Sequence, residues 1–177
     1  EGYHQRPEGT DLDYSAEVNG LANAEEFIKR HHETPWLVSM VGFVAGLPFL
    51  FQLTPRERQL EVPKYLSPRT DTPPLTLGIG GCFTAHYSVR GAGGYQMFGI
   101  AAAPVFAPNS ALADFQDSMV LFRSGDIVKF KPVGEDGGAR RQPLGRHPVG
   151  RSGDRQHIGP DDAVMGRSDD QVIGVIA

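Results

Sequence analysis

Between Val62 and Val133 the chain is cut into short apolar pieces by glycine and proline, and this spacing limits the fold more than any other feature. The pieces are 75–77, 82–89, 95–100, 105–106, 119–122 and 127–133. Short strands at regular intervals with turn residues between them predict a closed or nearly closed β-barrel. The whole-chain counts of Gly 22 and Pro 14 agree, because both residues favour turns over long helices. Ser124-Gly-Asp126 supplies a tight turn into the alternating run that begins at Ile127.

Upstream the pattern differs. Asp11 to Val18 reads as a short helix stopped by Asn19-Gly20, a left-handed C-terminal signal. Asn23 and Glu26 have capping-box spacing, and Ala24, Phe27, Ile28 and His31 then share one helical face, predicting a second helix over 24–32. Pro35 ends it. The run Trp36 to Val41, apolar on both sides, predicts a buried strand. The expected organisation is α+β and mainly β: a partial, truncated small α/β lobe over 1–53, a barrel over 54–137, and a disordered or aberrant tail over 138–177. Arg, Gly, Asp and Pro dominate the tail, which holds too little apolar surface to offset its ordering entropy. The start at Glu1-Gly2-Tyr3 reads as a chain cut from something longer.

Composition narrows the function. A net charge of -4 argues against a general nucleic-acid or anionic-membrane surface. No apolar run reaches the roughly 18 residues of a membrane span. The single cysteine, Cys82, permits no internal disulfide, so a cytoplasmic location is the simple reading. Cys82 itself is expected to be a small buried apolar residue. His31, His32 and His86 lack metal-ligand spacing and read as capping or core histidines, so no metal is expected. No phosphate-binding GxxxxGK[ST] stretch and no complete dinucleotide fingerprint is present.

Five blocks then carry a resemblance. The loop from Gly42 to Leu50 resembles the GFxPGFxYL loop of a carboxyltransferase family. That family includes allophanate hydrolase subunit 1, the B-type component of 5-oxoprolinase, the kinase inhibitor KipI and part of urea carboxylase. Pro63 to Arg69 is similar to the family's approach to its barrel, and Gly78 to Tyr87 to its GIAGxQTGIYP strand. Ala92 to Gly99 resembles its SPGGWxLIGRT segment, and Ser124 to Phe130 its closing RPGDxVxF strand. Upstream, Asp11-Leu12 sits where the family carries a DL pair. The blocks keep the family's order over about residues 3–133. Ala45 replaces the loop proline and Tyr95 the tryptophan, which marks a divergent branch.

The resemblance implies a cyclophilin-like barrel and a fragment of a biotin-dependent carboxyltransferase domain, subdomains C and D. Carboxyl transfer from carboxybiotin to a urea-like or small amide or acid acceptor is then the leading expectation. Carboxybiotin would come from a partner domain and ATP would act only through partners. Those partners would be the complementary half (subdomains A and B), biotin carboxylase and biotin carrier domains. Two alternatives stay open: a subunit of an ATP-dependent 5-oxoprolinase, and a non-catalytic KipI-like regulator.

Negative charge developing on a ureido or acceptor oxygen needs donors aimed into a dry site. Glycine lets backbone N–H groups approach closely. Gly80, Gly81, Gly93 and Gly94 are therefore candidate donors, with hairpin or bulge glycines as the competing reading. Tyr95 and Gln96 join them as catalytic candidates. Tyr87, Arg69, Phe43 and Gly46 are candidates for substrate binding. Arg69 can hold a carboxylate with a two-toothed fork, or else sit in an ion pair. The tyrosines and Gln96 can present polar tips to a planar ligand, or pack in the core.

Overall fold

The computed structural model describes residues 8–109 and 111–133, and the backbone of 171–176. The first helix, α1 (Asp11–Val18), starts where Thr10 and Asp13 close a reciprocal capping box. The second, α2 (Ala24–Glu33), starts where the Asn23 side chain accepts from the Glu26 N–H at 2.9 Å. Glu26 turns back to the Ala22 N–H rather than to Asn23, so the expected box is only half formed.

The strands follow as β1 (Trp36–Val41), β2 (Pro48–Gln52), β3 (Arg69–Thr72), β4 (Thr76–Gly80), β5 (Phe83–His86), β6 (Gly91–Gly93), β7 (Gln96–Ala101), β8 (Ile127–Pro132) and β9 (Gln171–Ile176). Seven close a barrel in the order β1-β2-β5-β4-β7-β9-β8, with β8 and β1 completing the ring. The strands β3 and β6 form a separate two-stranded ribbon. The fold is thus mainly β with few helices, as the turn spacing predicts.

The core explains the arrangement. Leu50, Leu77, Ile79, Phe98, Val128 and Phe130 line the barrel interior, and Ala16 and Phe27 of the helices pack into the same cluster. His31 plugs it: its ring lies 4.5 Å from Trp36, 4.6 Å from Phe98 and 4.7 Å from Phe130, centroid to centroid. Its Nε2 lies 2.9 Å from Thr84 Oγ1, and Trp36 Nε1 donates to the His31 carbonyl at 2.8 Å.

Three expectations need adjusting. The expected boundary at residue 53 does not separate two cores: β1 and β2 pair with β8 and β5 inside the one barrel. Nor is β1 buried on both faces as expected: Trp36 and Val38 enter the core, while Ser39 and Met40 are exposed, because the outer side of the barrel wall is not covered there. Cys82 is not buried; it is partly exposed on the bend between β4 and β5. Of the segment read as a tail, 134–170 and Ala177 lie outside the described residues, and Gln171–Ile176 is strand, paired with β8 and β7.

Candidate functional site

Side chains alternate along β4. Leu77 and Ile79 enter the core, while Gly78 and Gly80 face the outer side of the barrel wall. Ala85 of β5 joins that outer face, where Leu47, Tyr87 and Tyr95 form a second, small apolar cluster. The missing side chains make room for two rings. A Cβ on Gly80 would stand 2.7 Å from Tyr95 Cε1, and one on Gly78 would stand 3.0 Å from Tyr95 Cβ and 3.3 Å from Tyr87 Cε2. A Cβ on Gly93 would stand 2.6 Å from Tyr87 Oη. Only glycine permits this packing.

Gly80 and Gly93 therefore seat tyrosines, a use of the missing side chain that is separate from the backbone-donor role expected of them. The Gly81 amide is committed elsewhere: it donates to the Val62 carbonyl at 2.7 Å, from a hairpin bend with φ +58°. The Gly94 carbonyl accepts from the Tyr65 N–H at 2.8 Å. Gln96 is fully buried, and its Nε2 donates to the Pro63 carbonyl at 2.9 Å. It pairs with the inward-facing Ile79, so it points away from Tyr95. Gly46, at φ +71°, lies under Phe106, which a Cβ there would meet at 2.7 Å. Phe43 is 80% exposed in the same loop, which Ser88 Oγ ties to the face through the Ala45 carbonyl at 2.5 Å.

The charged part of the face centres on Arg69, the first residue of β3 and only 7% exposed. Its Cζ lies 4.7 Å over the Tyr65 ring, and its Nε donates to Thr72 Oγ1 at 3.3 Å. Nη1 stands 3.9 Å from Asp11 Oδ2, an ion pair too long for a hydrogen bond. Neither Nη1 nor Nη2 has a hydrogen-bond partner among the described residues, and both are buried. Asp11 is held in place by the Tyr65 hydroxyl on Oδ1 and by the Met97 N–H at 2.7 Å on Oδ2.

Burial raises the pKa of Tyr65, and its bond to Asp11 adds to the rise. Burial also raises that of Tyr87, against the opposing pull of the Arg69 charge. Tyr95 is pushed up to about 12 by burial, with Tyr87 and Cys82 adding to it. All three phenols stay protonated near neutral pH, so they can donate a hydrogen bond but not act as bases. Lys64 Nζ caps the Tyr95 ring at 5.2 Å. No group of three or more His, Cys, Asp or Glu able to hold a metal ion occurs among the described residues. No helix among them is long and apolar enough to cross a membrane.

Arg69, Tyr87, Tyr95, Gly80 and Gly93 thus share one face, while the Gly81 N–H, the Gly94 carbonyl and Gln96 Nε2 are engaged elsewhere and Gln96 Oε1 is buried with no hydrogen-bond partner among the described residues. Sequence reasoning missed Asp11, Tyr65 and Thr72 as partners of Arg69. Tyr65 lies inside the Pro63–Arg69 block, but Asp11 is a contact across 58 residues that no local pattern reveals.

Known proteins share this architecture. The family model described as "Carboxyltransferase domain, subdomain C and D" matches residues 3–114. The B-type 5-oxoprolinase component of Bacillus subtilis is 35% identical over 72% of this chain and 49% of its own length. The urea amidolyase of Saccharomyces cerevisiae is 30% identical over 71% of this chain, but over only 7% of its own length. Among solved structures, the Kluyveromyces lactis urea carboxylase superposes with a TM-score of 0.66 at 25% identity, covering 74% of this chain and 12% of that one. A conserved uncharacterized protein of Pyrococcus horikoshii gives a TM-score of 0.62 at 27% identity, over 76% and 58%. The chain spans about half the length of the 5-oxoprolinase components it matches. With the geometry and these matches together, the chain belongs to the carboxyltransferase domain family, subdomains C and D.

Proposed function

We propose that this chain supplies part of a binding site for a small planar amide bearing a carboxylate, within a multi-component enzyme of the 5-oxoprolinase type. The carrying observation is the buried Arg69 guanidinium, whose two terminal nitrogens make no hydrogen bond among the described residues, Nη1 having only the long ion pair with Asp11. Leaving a buried charged donor unsatisfied is costly, and a carboxylate offers the matching pair of acceptors. Urea is neutral and offers no such charge. The Tyr87 hydroxyl, protonated and beside Gly93, is placed to donate to the same ligand. The similarity to three B-type 5-oxoprolinase components supports this substrate class.

The chain's own residues bind and orient in this reading; bond making and ATP chemistry belong to partner components. Phe43, 80% exposed, and Leu66, 93% exposed, lie on the two segments bordering the face and are the candidate contacts for such a partner.

Carboxyl transfer is the second reading, supported by the superposition on a urea carboxylase. The Tyr95 and Tyr87 rings occupy the space over Gly80 and Gly93, so these two glycines offer no open floor to carboxybiotin.

Reconstitution tests the proposal. The purified chain alone should hydrolyse no ATP and carboxylate nothing. Together with the components that complete a 5-oxoprolinase, it should support ATP hydrolysis dependent on 5-oxoproline. Turnover by the chain alone contradicts the proposal, and so does urea-dependent carboxylation in its place.

A further inference from the structure

Asp11 opens α1, and its carboxylate stands behind the one guanidinium that the proposed function uses. We infer that Asp11 makes the Arg69 subsite selective for monoanions, so that it accepts a carboxylate and rejects sulfate- or phosphate-like dianions. This rests on the reading of Arg69 as an anion site.

The charge count carries the argument. Arg69 and Asp11 form a buried pair of opposite charge, 3.9 Å apart, with side-chain exposures of 8% and 5%. A monoanion on Nη1 and Nη2 leaves the cluster with one net negative charge; a dianion leaves two. Each added charge is repelled by Asp11 across a short, poorly solvated gap. At a separation of about 7 Å and an effective dielectric constant of about 20, Asp11 weakens binding by roughly tenfold or more per added charge relative to an uncharged residue in its place. This offsets much of the pull of Arg69, and the larger desolvation cost of a dianion then turns the balance against it.

Asp11 cannot turn away to relieve this. Its Oδ1 accepts from the Tyr65 hydroxyl and its Oδ2 from the Met97 N–H, so Tyr65 and β7 fix it from two sides. Tyr65 in turn stacks on the guanidinium, which holds the donor fork in one plane. Asp71 of β3 and Arg90, just before β6, form the other charged pair nearby, and both are exposed and engaged with each other. The Arg69 terminal nitrogens are buried, and Arg69 is held in the ribbon by the register Arg69↔Gly93 and Thr72↔Gly91.

Calorimetric titration of the full chain with 5-oxoproline, acetate and sulfate, at fixed ionic strength, tests the inference. The wild type should bind 5-oxoproline and acetate in preference to sulfate. Asp11→Asn keeps the acceptor for Met97 and should raise sulfate affinity relative to acetate by roughly tenfold or more. Arg69→Met should lose all three. Sulfate binding as tight as acetate in the wild type overturns the role of Asp11, and this arm needs no variant to fold. An unchanged ratio in a folded Asp11→Asn chain does the same. Acetate or 5-oxoproline binding retained in Arg69→Met instead overturns the anion reading of Arg69, as does a folded wild type that binds none of the three.

Discussion

At the scale of single residues, the glycines of this face are defined by what they leave out. Gly80 has its neighbour Tyr95 closer than any Cβ tolerates, while Gly91 has open space around its missing Cβ. Gly80→Ala should cost about 1–3 kcal/mol, as overpacking does. Gly91→Ala should stay within about 0.5 kcal/mol of wild type. Urea denaturation of both variants checks the pair; equal midpoints would mean that Tyr95 does not need its seat. The donor role expected from sequence failed at Gly81 for a plain reason. A glycine's freedom is legible in sequence, but the acceptor that claims its amide, here Val62, is set by tertiary pairing.

At the scale of elements, local signals are legible in the sequence and polar strands are not. The bounds of α1 follow from its Asn19-Gly20 stop, and β1 from an apolar run after Pro35. Asn23→Ala should remove the α2 cap and cost about 1 kcal/mol, read as a lowered denaturant midpoint with an unchanged slope. By contrast β3, Arg-Thr-Asp-Thr, and β6, Gly-Ala-Gly, carry no apolar alternation at all. Their pairing is invisible to periodicity, so the ribbon that holds Arg69 does not show in the sequence. Arg69 itself is legible there as a candidate carboxylate ligand. Its burial and its partner Asp11 come from a distant helix docking on β7. The strand β2 is hidden by its opening proline and its length of 5 residues.

At the scale of the whole molecule, helices and barrel share one core, and that core encloses two neutral histidines. Burial lowers the pKa of His31 to about 3, with the charge of His32 adding to it, and burial alone lowers that of His86 to about 3. In the unfolded chain both titrate near 6.5. Between those values the unfolded state binds more protons than the folded one, so stability falls as pH drops from about 6.5 to about 3 and is level above about 7. Each histidine contributes a slope of up to about 1.4 kcal/mol per pH unit. Urea midpoints measured from pH 7.5 to 4.5 should show the decline, and His86→Leu should shed about half of these two histidines' share. An unaltered slope in that variant would place His86 in contact with solvent.

The account stands on a buried guanidinium that is completed by a ligand's carboxylate. A high-resolution crystal structure of the chain with 5-oxoproline tests this most directly. The account predicts both carboxylate oxygens within hydrogen-bond distance of Arg69 Nη1 and Nη2, with Tyr87 Oη close by. Ordered water filling both positions, with 5-oxoproline bound elsewhere or not at all, would contradict it.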